Sequence, residues 1–240
     1  AGNDANVAAL GEFWKGGGQG CENMVFVTLG TGVGGGIIID GKIYTGFNFC
    51  GAELGHTVIQ YGGRQCGCGR KGCFEAYSSA TALINMTREA MEAHKDSKMW
   101  EICSGSIDNV DGKTAFDGWR AGDKAASDVV DMYISYLGCG LTNIVNTFQP
   151  EVLLIGGGIC KEGENLTKPL EEIIAKEAYC IDPKQSTKLG ICSATTRESS
   201  ARHSSTRWLT KEEVCTTCRR TAQYWLKAAV FTSGTTRCTR

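Results

Sequence analysis

The chain has 240 residues, 42% apolar and 21% charged, a balance that supports a packed core rather than disorder. Its net charge of −1 excludes a globally basic nucleic-acid binder. The longest purely aliphatic stretch, residues 152–155, is far short of the roughly 20 residues that a membrane span needs. Glycine is abundant, at 32 residues against 3 prolines. The 13 cysteines are odd in number and unevenly spaced, which argues against a disulfide framework and for a reducing, cytoplasmic compartment. No charged-then-apolar leader is visible, and the start at Ala1 without Met suggests a missing upstream piece.

Residues 6–15 read as a short helix that ends in the glycines at 16–18. Residues 25–29 and 35–39 read as strands, and Asp40-Gly41 is a two-residue hairpin signal leading into 42–44. The glycine-rich stretch 46–72 reads as irregular, an unusually long loop unless something staples it. Helical spacing returns over residues 75–94, and a longer helix runs from Gly122 to Phe148, closed by Pro150. Residues 151–155 read as a buried strand ending in Gly156, Gly157 and Gly158, followed by a helix over 165–178. Strand, glycine turn, helix is the grammar of an α/β fold.

Composition breaks near Ser193. Half of residues 193–240 are Ser, Thr or Arg, and net charge changes from −7 over residues 1–192 to +6 beyond. A basic arm is one reading. The other is a segment read out of frame, since a two-nucleotide shift yields an apolar helix. The His203 and Cys215/Cys218 positions in it are given no weight as ligands.

Three constellations could carry chemistry. Gly30, Thr31, Gly32, Val33 and Gly34 open a glycine loop, continuing to Gly36, that can bring backbone N–H groups up to a phosphate. An ordinary glycine-rich hairpin reads equally well, since the setting is strand-to-strand rather than strand-to-helix. Gly112-Lys113-Thr114 is not a Walker A motif, because Ile107 stands where its first glycine belongs. His56, Cys66, Cys68 and Cys73 offer one imidazole and three thiolates within 18 residues, enough for a structural Zn²⁺. Asn3, Asp4, Glu53, His56 and Glu75 are polar groups beside glycines, the types that bind sugar hydroxyls. Asp4 is also placed to cap the first helix.

Asn3-Asp4-Ala5-Asn6, the Gly30–Gly36 loop, Gly51-Ala52-Glu53-Leu54-Gly55-His56 and Cys66-Gly-Cys-Gly-Arg-Lys-Gly-Cys-Phe-Glu75 together resemble the ROK family of sugar kinases and repressors. The likeness covers residues 1–192 and lies nearest the glucokinases. It implies an actin-like (hexokinase) α/β fold, here mainly the C-terminal lobe, without the lobe that carries an Asp-x-Gly-Gly-Thr phosphate loop. A truncated kinase is therefore expected, its last helix replaced by the 193–240 tail.

The resemblance assigns Asp4 as the base that takes the proton of the glucose 6-hydroxyl as it attacks ATP. Asn3, Glu53, His56 and Glu75 would hold the sugar, Gly30–Gly34 the phosphates with Mg²⁺, and Gly156–Gly158 the adenosine side. Zinc would order the loop and do no chemistry. A homo-oligomer, no nucleic acid and no membrane are expected. The alternatives are a ROK repressor's sugar-sensing domain, a kinase for fructose or an N-acetylated hexosamine, and a zinc-stabilised interaction module.

Overall fold

Five strands share one mixed sheet in the computed structural model, which describes residues 4–179 and 186–192. They are β1 (Met24–Leu29), β2 (Val33–Ile39), β3 (Lys42–Tyr44), β4 (Val152–Gly156) and β5 (Lys188–Ile191), lying in the order β3-β2-β1-β4-β5. The β1–β2 and β2–β3 pairs are antiparallel, whereas β1–β4 and β4–β5 are parallel. Asp40 and Gly41 both take positive φ, 50° and 71°, as the two-residue turn between β2 and β3 demands. Asn3 and the whole 193–240 segment, with His203, Cys215 and Cys218, lie outside the described residues.

Side-chain alternation along β1 builds a core on each face of the sheet. Met24 and Phe26 meet Ala9, Leu10 and Phe13 of helix α1 (Asp4–Lys15), together with Ile38 and Leu154. Val25, Val27 and Leu29 point the other way. There they join Leu83, Phe116, Tyr133, Leu137, Leu141 and Leu170 from α3 (Ala80–Ala93), α5 (Thr114–Arg120), α6 (Lys124–Phe148) and α7 (Glu164–Glu177). Helices on both faces of this mixed sheet, half of its strand pairs parallel and half antiparallel, make the expected α/β sandwich. No helix among the described residues is long and apolar enough to cross a membrane.

The 75–94 periodicity predicts one helix, but the chain makes two, α2 (Glu75–Ser78) and α3. Ser79 turns to extended geometry (ψ 164°), and its side chain accepts the Ala82 N–H at 3.0 Å, so it caps the second helix. The short helices α4 (Met99–Ile102) and α5, and strand β5, have no counterpart in the sequence reading. Four and seven residues are too few to display a helical period, and Lys-Leu-Gly-Ile lacks a β-branched run.

The main correction concerns Gly34, Gly35 and Gly36, which the sequence places in a loop and its next strand. All three belong to β2, paired against β1. A Cβ on Gly34 would stand 3.1 Å from the Ala5 Cβ, and one on Gly36 would press on Ala9 and the Ala5 carbonyl. A Cβ on Gly35, pointing to the opposite face, would come within 2.7 Å of the Ala52 oxygen and Leu54. The missing side chains let α1 settle directly on one face and the 52–55 segment on the other.

Candidate active site and metal loop

Strands β1 and β4 run parallel and end side by side, with Thr28 opposite Gly156. The region beyond the C-terminal ends of such strands is where open α/β sheets bind ligands. After β1 the turn is only Gly30, Thr31 and Gly32, because Val33 already belongs to β2. Gly30 N–H closes on the Gly32 oxygen at 3.0 Å, whereas the Thr31 and Gly32 N–H groups have no acceptor among the described residues. Two adjacent open amides form a concavity suited to an anion. Gly157 (φ 116°) touches the end of β1 so closely that a Cβ would overlap the Leu29 carbonyl. Exposed Gly158 follows it.

Asp4 is exposed in the first turn of α1, and its Oδ1 accepts the Ala5 N–H at 2.9 Å. The next residue, Ala5, rests on Gly34, the second residue of β2. Glu53 arrives from the opposite face. It is exposed, it precedes the 3-10 turn Leu54–His56, and its carboxylate has no partner among the described residues. Gly55 holds that turn down, since a Cβ there would overlap the Val33 oxygen. Glu75 is half-buried at the start of α2. Its Oε2 accepts the Val33 N–H at 2.9 Å, and the Cys66 Sγ lies 3.6 Å from its Oε1. The Val33 amide is therefore engaged.

His56 Nδ1 lies 3.7 Å from Cys66 Sγ, Cys68 Sγ lies 3.7 Å from Cys73 Sγ, and all four ligand atoms fall within 4.8 Å of one another. Sulfurs about 2.3 Å from a tetrahedral Zn²⁺ stand about 3.8 Å apart, so the cluster fits that ion. Backbone bonds prepare it: Ile59 N–H donates to Gly72 O, Gly72 N–H to Arg64 O, and Cys66 N–H to Arg70 O. Gly72 (φ 82°) admits no other residue, because a Cβ would overlap the Gln60 oxygen. Burial pushes the Cys73 thiol up to about 12 and raises Cys66, whereas the Arg70 backbone N–H draws the exposed Cys68 down. A divalent cation supplies the charge that turns such thiols into thiolates.

Two contributors escape the sequence reading. Arg70 donates from Nη1 to the His56 oxygen at 2.9 Å, fixing the histidine's backbone from inside the cysteine run. Thr81 donates from Oγ1 to the Thr31 oxygen at 2.8 Å, and no local pattern marks it because its partner is 50 residues away.

A sheet in this strand order, clothed on both faces and closed by glycine turns beside a four-ligand loop, defines a lobe of the actin-like ATPase class. The chain belongs to the ROK family, whose pattern matches residues 1–208. It is 43% identical over 180 residues to a glucokinase of Halalkalibacterium halodurans, covering 75% of this chain and 54% of that one. A Thermotoga maritima glucokinase is 42% identical over 170 residues, covering 71% and 53%. The Bacillus subtilis xylose repressor reaches 29% over 179 residues, covering 74% and 42%. Among solved structures, a ROK family glucokinase from Streptomyces griseus in complex with glucose and AMPPNP superposes with a TM-score of 0.75 at 32% identity, over 82% of this chain and 64% of that one. The chain spans about half the length of the curated relatives it matches.

Proposed function

We propose that this chain is the sugar- and nucleotide-binding lobe of a hexose kinase that makes glucose 6-phosphate from glucose and ATP. What supports the reading is the pair of open Thr31 and Gly32 amides between β1 and β2, with Asp4 and Glu53 carried by segments that pack on β2, in a chain 43% identical over 180 residues to a glucokinase. The glucose O6 forms a bond to the γ-phosphorus as the bond to the bridging oxygen breaks, ADP leaves, and the O6 proton goes to Asp4. A positioned base contributes about 10²–10⁴-fold, the turn amides would take up charge on the phosphate oxygens, and Mg²⁺, when bound, would supply further charge neutralisation there. Gly156, Gly157 and Gly158 lie on the nucleotide side.

Asn3, Glu53, His56 and Glu75 hold the sugar hydroxyls. His56, Cys66, Cys68 and Cys73 hold one Zn²⁺, which gives the sugar loop its shape and supplies no chemistry. His56 Nδ1 faces the sulfurs, which leaves Nε2 for a hydroxyl. A cytoplasmic location suits the nine described cysteines, all free thiols. We take residues 1–192 as the lobe and 193–240 as a segment read out of frame, a division that the composition change supports and the coding DNA tests.

The test of the kinase reading is glucose-dependent ATP turnover by this lobe completed with the remaining half of a ROK glucokinase. Asp4→Asn should lower kcat by about 10²–10⁴-fold with glucose affinity nearly unchanged. Near-normal kcat in that variant would leave Asp4 as a helix cap only and overturn the mechanism. Glucose binding without turnover in the completed wild type would move the assignment to sugar sensing, as in the repressor relatives.

A further inference from the structure

The Gly30–Gly32 turn is held mainly from one short segment of distant chain. Glu75 Oε2 accepts the Val33 N–H at 2.9 Å, Ala80 N–H donates to the Gly30 oxygen at 2.8 Å, and Thr81 Oγ1 donates to the Thr31 oxygen at 2.8 Å. Against these three, the turn's own bond among the described residues is Gly30 N–H to Gly32 O. Gly32 is itself shaped by this arrangement, since a Cβ there would overlap Glu75 Oε2.

The segment 75–81 begins two residues after Cys73, a metal-loop cysteine, and Glu75 Oε1 lies 3.6 Å from Cys66 Sγ, another. One carboxylate thus touches the metal loop with one oxygen and the phosphate turn with the other. Because both contacts come from the two oxygens of one side chain, a shift of the loop moves the partner of the Val33 N–H directly. We propose that Glu75 is a positioning residue through which the metal loop sets the shape of the Gly30–Gly32 turn, so that emptying the metal site loosens the turn. The proposal rests on reading the cluster as a zinc site and adds a second task to Glu75 beside sugar binding.

Amide hydrogen exchange of this chain, with metal content measured in parallel, tests it. Chelation of zinc should raise Val33 exchange about 10- to 100-fold while the Leu153–Ile155 amides of β4, the control for global folding, stay protected. Glu75→Ala should raise Val33 exchange comparably with zinc retained. Glu75→Gln, which keeps an oxygen for the Val33 N–H, should restore protection. A role confined to sugar binding moves none of these in the absence of sugar. Unchanged Val33 exchange in zinc-loaded Glu75→Ala overturns the strut, and unchanged exchange after chelation overturns the coupling to metal. A chain that takes up no zinc overturns the coupling through failure of the metal reading, which the metal measurement reports separately.

Discussion

Phe74 sits between Cys73 and Glu75, and its ring is fully buried against the backbone of α6. Gly140 makes the approach possible, since a Cβ there would overlap the ring carbons. Alanine is the better helix former by about 1 kcal/mol, but a ring enclosed on all sides cannot move aside cheaply. Gly140→Ala should therefore destabilise the protein by about 1–3 kcal/mol, read as a lower urea midpoint at unchanged slope. A midpoint equal to or above that of the wild type would show that the ring yields. The residues of this region differ in how far sequence discloses them. The four metal-loop residues are legible because their spacing is itself the chemistry. The Glu75–Val33 contact is not, because it spans 42 positions and uses a backbone N–H that any residue but proline would supply.

Helix α6 shows the same contrast at its two ends. The apolar period from Val129 to Leu141 and the stop at Pro150 are readable, whereas the start depends on a cap. Asp123 accepts the Ala126 N–H through Oδ1 and the Lys98 N–H through Oδ2, each at 2.7 Å, so one carboxylate begins α6 and fastens the entry to α4. Burial alone would raise its pKa, but these backbone bonds and Ser97 more than offset that and hold it below the usual carboxylate range. A folded pKa below the unfolded one means stability that is present above about pH 4 and lost as pH falls through the folded value. Asp123→Ala should cost about 0.5–2 kcal/mol near neutrality. Thermal melts of both proteins should converge as pH drops below 4; a gap unchanged at pH 2–3 would assign the loss to packing. Strand β2 was legible over residues 35–39, whereas its first two residues, Val33 and Gly34, read as part of a phosphate loop. Only the helix on one face and the 52–55 segment on the other explain its three glycines.

Across the described lobe, two hydrophobic layers hold the sheet, while the 57–73 loop is held by short backbone contacts beside the His56, Cys66, Cys68 and Cys73 cluster. Metal analysis should find about one zinc per chain. At free zinc a thousandfold above Kd, binding adds about 4 kcal/mol, so chelation should lower Tm by about 10 °C for a domain of this size. A chain purified without chelators that carries no metal would sink this expectation. Fold class was readable from strand–glycine–helix grammar and the family likeness, whereas the sheet order follows from pairings between strands more than 120 positions apart. The glycine shelf of β2 also bears on how this protein can evolve. Every amino-acid replacement at positions 34–36 adds atoms to a surface already in contact, so no single missense change there is sterically silent. Change in this region must come from the elements resting on the shelf, α1 and the 52–55 segment, whose outward positions can vary without disturbing the floor.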